Sequence, residues 1–184
     1  AIAEDPALAA GIMGAVQGEV SLKAVADVRG AVERRPGVGV LREAAPYAHP
    51  QFPQARTLTP LVLGVDGSAP DLYAEELFGP VLFVVTMEAD AAVAEATHLA
   101  RTKGSISSYL YSTDEAFIDR ATPLYEQAGA NLTINLTGAM WINFAAAYSD
   151  YHVSGLNPAG NACLADLAFV AARFRIVQRR RPTA

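Results

Sequence analysis

Residues 75–85 of the chain read EELFGPVLFVV, an acidic segment that runs directly into an uninterrupted apolar one. The apolar half has the length and the β-branched and aromatic content of a strand, which predicts a strand buried on both faces of a parallel sheet. Pro80 fixes its own φ, and Gly79 lets another group approach the backbone closely. The stretch predicts a stiff loop that holds Glu76 and Phe78 at the entrance to a central strand. An ordinary loop before a core strand is the alternative interpretation.

Strand and helix patterns alternate on both sides of this stretch. Upstream, we predict a helix from Ser21 to Arg35, a short strand at 38–41, and a strand at 58–63 that Pro60 assigns to a sheet edge. Downstream, we predict a helix at 91–101 capped by Asp90, a strand at 106–111, a helix begun by residues 112–115 and ended by Gly129, and strands at 132–135 and 173–178. This alternation predicts an α/β fold in which helices flank a parallel sheet.

Composition limits the classes of protein to consider. The chain has 184 residues, of which 52% are hydrophobic and 18% charged, and no apolar run reaches the roughly 18 residues of a membrane span. The single cysteine, Cys163, excludes an internal disulfide framework and fits a cytoplasmic location. The beginning, AIAEDP, has no initiator Met and no signal-like segment, so we expect a truncated chain.

The basic residues are concentrated at the end of the chain. All 19 acidic residues precede residue 173, whereas five of the 14 basic residues lie in 173–181. Without an aromatic platform or a nucleic-acid motif, this favours a solubilised terminal strand over a nucleic-acid site.

The Glu-x-Phe-Gly-Pro pattern before a hydrophobic strand resembles the glutamate–phenylalanine signature of the aldehyde dehydrogenase superfamily. The resemblance implies that Glu76 holds the nicotinamide ribose hydroxyls of NAD or NADP and that Phe78 packs beside the nicotinamide ring. It covers nearly the whole chain. Further matching positions are Thr57–Pro60, the glycine Gly104 before a strand, Asn131–Asn135 with the family's structural asparagine at Asn135, and Val153–Gly155.

Two departures from the family pattern narrow the resemblance. Residues 147–150 read AYSD and residues 157–160 read NPAG where the family has Pro-Phe-Gly-Gly and an arginine–glutamate stretch. Together with the ending FVAARFR, these departures resemble the branch linked to phenylacetic acid degradation. Tyr148 then falls where an aromatic residue lines the substrate tunnel. Trp141 and Tyr148 are the candidate substrate-binding residues, and Tyr151 is a further aromatic candidate. The substrate expected for them is a small-molecule aldehyde that is aryl-derived or CoA-linked. Core packing beneath a long loop is the alternative interpretation of these aromatic residues.

The catalytic parts of such an enzyme are missing from the sequence. In the family, the nucleophilic cysteine, the general-base glutamate and the cofactor-binding domain all lie further upstream than this chain reaches. We therefore predict that the chain contains no catalytic residue and is inactive alone. Cys163 lies in an apolar segment without a cationic neighbour, as a buried thiol does.

Other candidate sites in the sequence are weaker. Glu75 and Glu76 are adjacent and should point in opposite directions, which argues against an acid–base pair. The three histidines, His49, His98 and His152, have no metal-ligand spacing, and no glycine pattern completes a dinucleotide loop. We therefore expect no metal site in this chain.

The domain organisation follows from these assignments. We predict a partial catalytic domain at 1–172 and an oligomerisation strand with a basic tail at 173–184. A strand edge with unpaired backbone groups favours pairing with a second copy, so a homo-oligomer is expected, with neither a nucleic-acid nor a membrane partner. A stand-alone interaction module and a catalytically dead regulatory homologue are the competing hypotheses.

Overall fold

The computed structural model describes residues 5, 7, 18–33, 35–105, 108–130, 132–136 and 177–179. The chain divides into two compact units, Ala1–Met87 and Glu88–Ala184, each with its own sheet and its own hydrophobic core. None of the helices in these described ranges is long and apolar enough to cross a bilayer.

The first unit is built on a three-stranded sheet. From residue 18 onward its described elements, in chain order, are α1 (Glu19–Val32), β1 (Val38–Arg42), β2 (Leu61–Asp66), the short helix α2 (Pro70–Tyr73) and β3 (Val81–Thr86). The central strand is β2, with β1 antiparallel on one side and β3 parallel on the other. Alternate residues of β2, namely Leu61, Leu63 and Val65, are buried in one core with Val25 and Val32 of α1.

The position of β2 corrects two predictions from the sequence. Strand β2 begins at Leu61, three residues after the predicted start of the strand at 58–63. Pro60, which lacks an amide hydrogen, therefore lies just before β2 and removes no hydrogen bond from it. The predicted edge position is also wrong, since β2 is paired on both sides. The all-parallel sheet is wrong for β1 as well. The described connection at 43–60 contains no crossover helix, and strands joined without one run antiparallel.

Strand β3 is where predicted, but it is buried on one face only. Val81, Phe83 and Val85 pack at the core, whereas Leu82 and Val84 are 54% and 43% exposed. In this three-stranded sheet β3 is an edge strand, and the core formed with α1 covers a single face. The uninterrupted apolar run thus overstated the burial of β3.

In the part that the structure describes, the second unit has parallel strands and two helices. Its elements are α3 (Ala89–Thr102), β4 (Ser108–Leu110), α4 (Glu115–Ala128), β5 (Leu132–Ile134) and β6 (Val177–Arg179). The strand order is β4-β5-β6 and both pairings are parallel, as predicted. Its core includes the fully buried side chains of Ile118, Leu132 and Ile134.

The helix ends test the capping predictions. The Asp114 side chain accepts a hydrogen bond from the Phe117 amide at 3.1 Å, which confirms the predicted start of α4, and Gly129, at φ 71°, ends it. Ser21 and Asp90 are not caps. Helix α1 already begins at Glu19 after Gly18, and α3 begins at Ala89, one residue before Asp90.

The short strand β6 is the described part of the predicted terminal strand. It pairs with β5, so that Val177 lies beside Leu132 and Arg179 beside Ile134. The Arg179 guanidinium forms ion pairs with Glu115 and, at 3.2 Å, with Asp119 of α4. One edge of β6 is therefore used within the chain, and residues 173–176 lie outside the described ranges.

Candidate cofactor-binding loop

The acidic part of the opening stretch forms a loop, residues 74–80, between α2 and β3, called here the acidic loop. Its backbone is bent twice. The Gly79 amide donates to the Leu77 carbonyl at 3.1 Å, and the Val81 amide donates to the Gly79 carbonyl at 2.8 Å. Successive hydrogen bonds between residues two apart are those of γ-turns. They fix the shape of the acidic loop from within, which agrees with the stiffness predicted from the sequence.

The end of the acidic loop is tied to the central strand. The Leu61 amide donates to the Pro80 carbonyl at 2.9 Å, and Leu61 is fully buried at the start of β2. Pro80 has no amide hydrogen of its own, so its carbonyl is the group through which it joins the sheet. A shift of the acidic loop would therefore disturb the pairing between β2 and β3 where it begins, at Leu61 and Val81.

The beginning of the acidic loop is secured through α2. Arg35, just after α1, lies with its guanidinium 2.6 Å from a carboxylate oxygen of Asp71, and the hydrogen bond from Arg35 holds the pKa of Asp71 below its usual value. Ahead of α2, the Ser68 amide donates to the Asp66 carboxylate at 2.8 Å and lowers the pKa of Asp66. The chain therefore enters the acidic loop from a segment that is itself fixed.

The tip of the acidic loop presents Glu76 and Phe78 to solvent. Phe78 is 72% exposed, the Glu76 side chain is also exposed, and Leu77 between them is half-buried. Among the described residues, none forms a hydrogen bond or ion pair with the Glu76 carboxylate. The loop thus offers two carboxylate oxygens that only accept hydrogen bonds, next to a flat apolar ring.

The N-terminal half of α1 packs against the acidic loop from the side. A Cβ atom built at Gly79 would lie 3.1 Å from the Ser21 carbonyl oxygen and 3.1 Å from Cγ2 of Val25. Neither this contact nor the Leu61 hydrogen bond was predicted, because both partners are distant from the loop in sequence and no local pattern marks them.

In the second unit, a polar residue follows β5 at the carboxyl edge of the sheet. Asn135 has a positive φ of 56°, its side-chain oxygen accepts from the Ser112 amide at 2.9 Å, and its side-chain nitrogen donates to the Ser112 carbonyl at 2.8 Å. Its own amide donates to the Leu110 carbonyl at 2.8 Å. Asn135 therefore joins the ends of β4 and β5. This is a structural role, as the resemblance implies for this residue.

The remaining candidate residues are distributed as follows. Trp141, Tyr148, Tyr151 and Cys163 lie outside the described residues. Within the described ranges, no group of His, Cys, Asp and Glu side chains is arranged to hold a metal ion. The His49 Nδ1 atom accepts hydrogen bonds from the amides of Gln51 and Phe52 at 3.2 and 3.1 Å, which is a loop-fixing role.

One solved structure makes the likeness to known proteins explicit. The crystal structure of an NAD-dependent aldehyde dehydrogenase from Burkholderia multivorans contains a chain that is 39% identical to this one, with a TM-score of 0.72. The alignment covers 95% of this chain and 30% of that one. The chain is similar in sequence and fold to part of an aldehyde dehydrogenase. No protein-family model matches the sequence, and no curated protein matches it significantly.

Proposed function

We propose that the chain is part of an NAD(P)-dependent aldehyde dehydrogenase and that its acidic loop holds the nicotinamide end of the cofactor. The observation that carries the proposal is the exposure of Glu76 and Phe78 on a backbone-fixed loop. The 39% identity over 95% of the chain supports the choice of superfamily. We further propose that the whole enzyme is cytoplasmic.

The donor and acceptor chemistry of Glu76 fits the nicotinamide ribose. An ionised carboxylate has two acceptor oxygens and no donor, whereas the two neighbouring ribose hydroxyls each have one hydrogen to donate. Hydrogen bonds to a charged group are stronger than neutral ones. Glu76 therefore holds both hydroxyls at once and fixes the rotation of the ribose.

The Phe78 ring fits the flat face of the nicotinamide. An aromatic side chain packs well against another planar ring and excludes water from the side that it covers. Fixed on a γ-turn beside Glu76, it limits the orientations of the nicotinamide. When bound, the cofactor accepts the hydride that leaves the aldehyde carbon. Orientation of this kind lowers the barrier because the reacting groups are held in place beforehand.

The acidic loop does not choose between NAD and NADP. The two cofactors have the same nicotinamide ribose and differ at the adenosine ribose, where NADP carries its extra phosphate. A site made of Glu76 and Phe78 meets only the shared half. The choice belongs to residues outside this chain, in agreement with its lack of a dinucleotide fingerprint.

The nucleophile is also assigned outside this chain. Aldehyde oxidation of this kind needs a thiolate to form a thioester, and Cys163 lies in an apolar segment with no adjacent cation. The chain spans 30% of the length of the Burkholderia chain. We therefore expect the chain alone to oxidise no aldehyde, and a longer polypeptide that contains it to be active.

The substrate and assembly belong to the same proposal. The sequence at 147–150 supports the phenylacetic acid degradation branch, with an aryl-derived or CoA-linked aldehyde that Trp141 and Tyr148 contact. We propose residues 1–172 as the partial catalytic domain and residues 173–184 as the segment through which a homo-oligomer forms. Among the described strands β6 pairs with β5 alone, and this supports the assembly, because a second copy could pair with backbone groups on its other edge.

The experiment replaces Glu76 by Gln in a polypeptide long enough to oxidise aldehydes. Gln keeps the shape but loses the charge and one acceptor, so the Kd for NAD should rise about tenfold. The matched control is Glu75→Gln, which removes the same charge one residue away and should leave the Kd unchanged. Equal Kd values for the two variants would overturn the proposal.

A further inference from the structure

We propose that the N-terminal half of α1, through Ser21 and Val25, is the positioning element of the acidic loop, and that it acts on Gly79. The inference rests on the proposed function and goes beyond it, because Ser21 and Val25 lie in α1 and not in the acidic loop. Both meet the loop at the residue directly after Phe78.

The contact, and not backbone freedom, is what requires glycine at position 79. Gly79 does not have a positive φ, unlike Gly37, Gly104 and Gly129. The left-handed conformation that favours glycine is therefore not the reason for a glycine here. The methyl group of an alanine, however, would lie 3.1 Å from both the Ser21 oxygen and a Val25 methyl, which is closer than a comfortable contact.

The partners of Gly79 are unable to move aside easily. Val25 is only 4% exposed and belongs to the core formed with Leu61 and Leu63 of β2. The Ser21 oxygen is part of the backbone of α1. Packed interiors of this kind have no spare volume, so an added methyl group displaces the loop before it displaces the helix.

A displacement at Gly79 reaches the ligand-facing side chains directly. Gly79 takes part in both γ-turn hydrogen bonds, as donor to Leu77 and as acceptor from Val81. Phe78 is the residue enclosed by the first of these turns. Helix α1 and β2 therefore hold the loop from two sides, at Gly79 and at Pro80, and together they set where Glu76 and Phe78 point.

The main experiment compares two valines of the same helix in the active, longer polypeptide. Val25 and Val32 are 4% and 3% exposed in the same core, but Val32 is seven residues, or about 10 Å, further along α1. Val25→Ala and Val32→Ala should lower the melting temperature to a similar extent. Only Val25→Ala should raise the KM for NAD, by roughly threefold to tenfold, with the KM for the aldehyde unchanged.

A second pair uses glycines. Gly79→Ala should raise the KM for NAD in the same selective way. Gly39→Ala is the control, because a Cβ there meets nothing within 4 Å and its φ is not positive. In the double variant Val25→Ala/Gly79→Ala, the shortened side chain makes room for the added methyl. The fold-increase in the KM for NAD should therefore be smaller in the double variant than the product of the fold-increases in the two single variants.

The outcomes separate this inference from the function on which it rests. If Glu76→Gln leaves NAD binding unchanged, the proposed function fails and the inference with it. If Glu76→Gln weakens NAD binding but Val25→Ala and Val32→Ala change the KM for NAD equally, the function stands and the positioning inference is wrong. Should Gly79→Ala fail to fold, the valine pair decides the matter by itself.

Discussion

The acidic loop precedes β3, and Asn135 follows β5, where it forms with the Ser112 backbone a pair of hydrogen bonds called here the Asn135 clamp. Both place a polar side chain next to a strand, and they use it in opposite ways. At the clamp, the Asn135 side chain accepts a hydrogen bond from the Ser112 amide and donates one to the Ser112 carbonyl. At the acidic loop, backbone hydrogen bonds and the α1 contact fix the chain, and the described residues leave the Glu76 carboxylate unpaired. A side chain used for structure is unavailable to a ligand, whereas a backbone-fixed loop keeps its side chains available.

This difference predicts that the largest loss of stability follows from a substitution at the clamp. Asn135→Ala should lower the free energy of unfolding by about 2–4 kcal/mol, since two side-chain hydrogen bonds are lost and alanine is disfavoured at positive φ. Urea unfolding measures the change. The Kd for NAD should remain unchanged in the Asn135→Ala variant.

A glycine at the same position separates the two causes. Asn135→Gly removes the hydrogen bonds but accepts the positive φ, so it should be about 1 kcal/mol less destabilising than Asn135→Ala. Stability within about 0.5 kcal/mol of the wild type for Asn135→Ala would show that the clamp is not structural.

The reverse pattern is expected for Phe78. Because Phe78 is 72% exposed, Phe78→Ala should change the free energy of unfolding by less than about 0.5 kcal/mol. It should weaken NAD binding by roughly tenfold, the size of one lost aromatic contact. Isothermal titration of the active polypeptide with NAD measures this.

Phe83 provides the contrast for that measurement. It is half-buried and packs at the core of the first unit, so Phe83→Ala should cost about 2 kcal/mol or more of stability. Similar stability losses for Phe78→Ala and Phe83→Ala would mean that Phe78 packs as a core residue.

The two units should also respond to pH in opposite directions, with smaller effects. In the first unit, hydrogen bonds from Arg29, Arg35 and Ser68 lower the pKa of Glu43, Asp71 and Asp66 respectively. A lowered pKa favours folding above the unfolded value, and that contribution is lost as pH falls through the folded value. The melting temperature should therefore decline between about pH 5 and pH 3.

In the second unit the sign is reversed. Burial raises the pKa of Tyr125 above its ordinary 10.0, so its contribution is complete below that value and is lost as pH rises through the folded pKa. Calorimetry across pH tests both limits. The variant Glu43→Gln/Asp71→Asn should flatten the acidic limb alone, and Tyr125→Phe the alkaline limb alone. An acidic limb unchanged in the first variant would contradict the assignment.

Local chemistry is what made parts of this molecule predictable. The cap at Asp114, the stop at Gly129 and the strand after Pro80 each depend on a few adjacent residues, and each is present. The acidic loop was located from six consecutive residues for the same reason.

Two errors are local, since neither Ser21 nor Asp90 caps its helix. The other errors and omissions concern contacts between distant parts of the chain. The antiparallel pairing of β1 depends on how residues 43–60 return, and the one-sided burial of β3 depends on what packs on the sheet. Gly79 meets Ser21 and Val25 across more than 50 residues of sequence. No local pattern encodes such a contact, so the supports of the loop became visible only in the structure.

The most direct test of whether Glu76 holds the nicotinamide ribose compares the binding of NAD with that of an analogue whose nicotinamide ribose lacks both hydroxyls. The wild-type enzyme should bind this analogue about tenfold more weakly than NAD, because Glu76 loses its hydrogen bonds. The Glu76→Gln variant should bind NAD and the analogue with nearly equal Kd values. A variant that still distinguishes them as strongly as the wild type does would show that Glu76 does not hold the ribose.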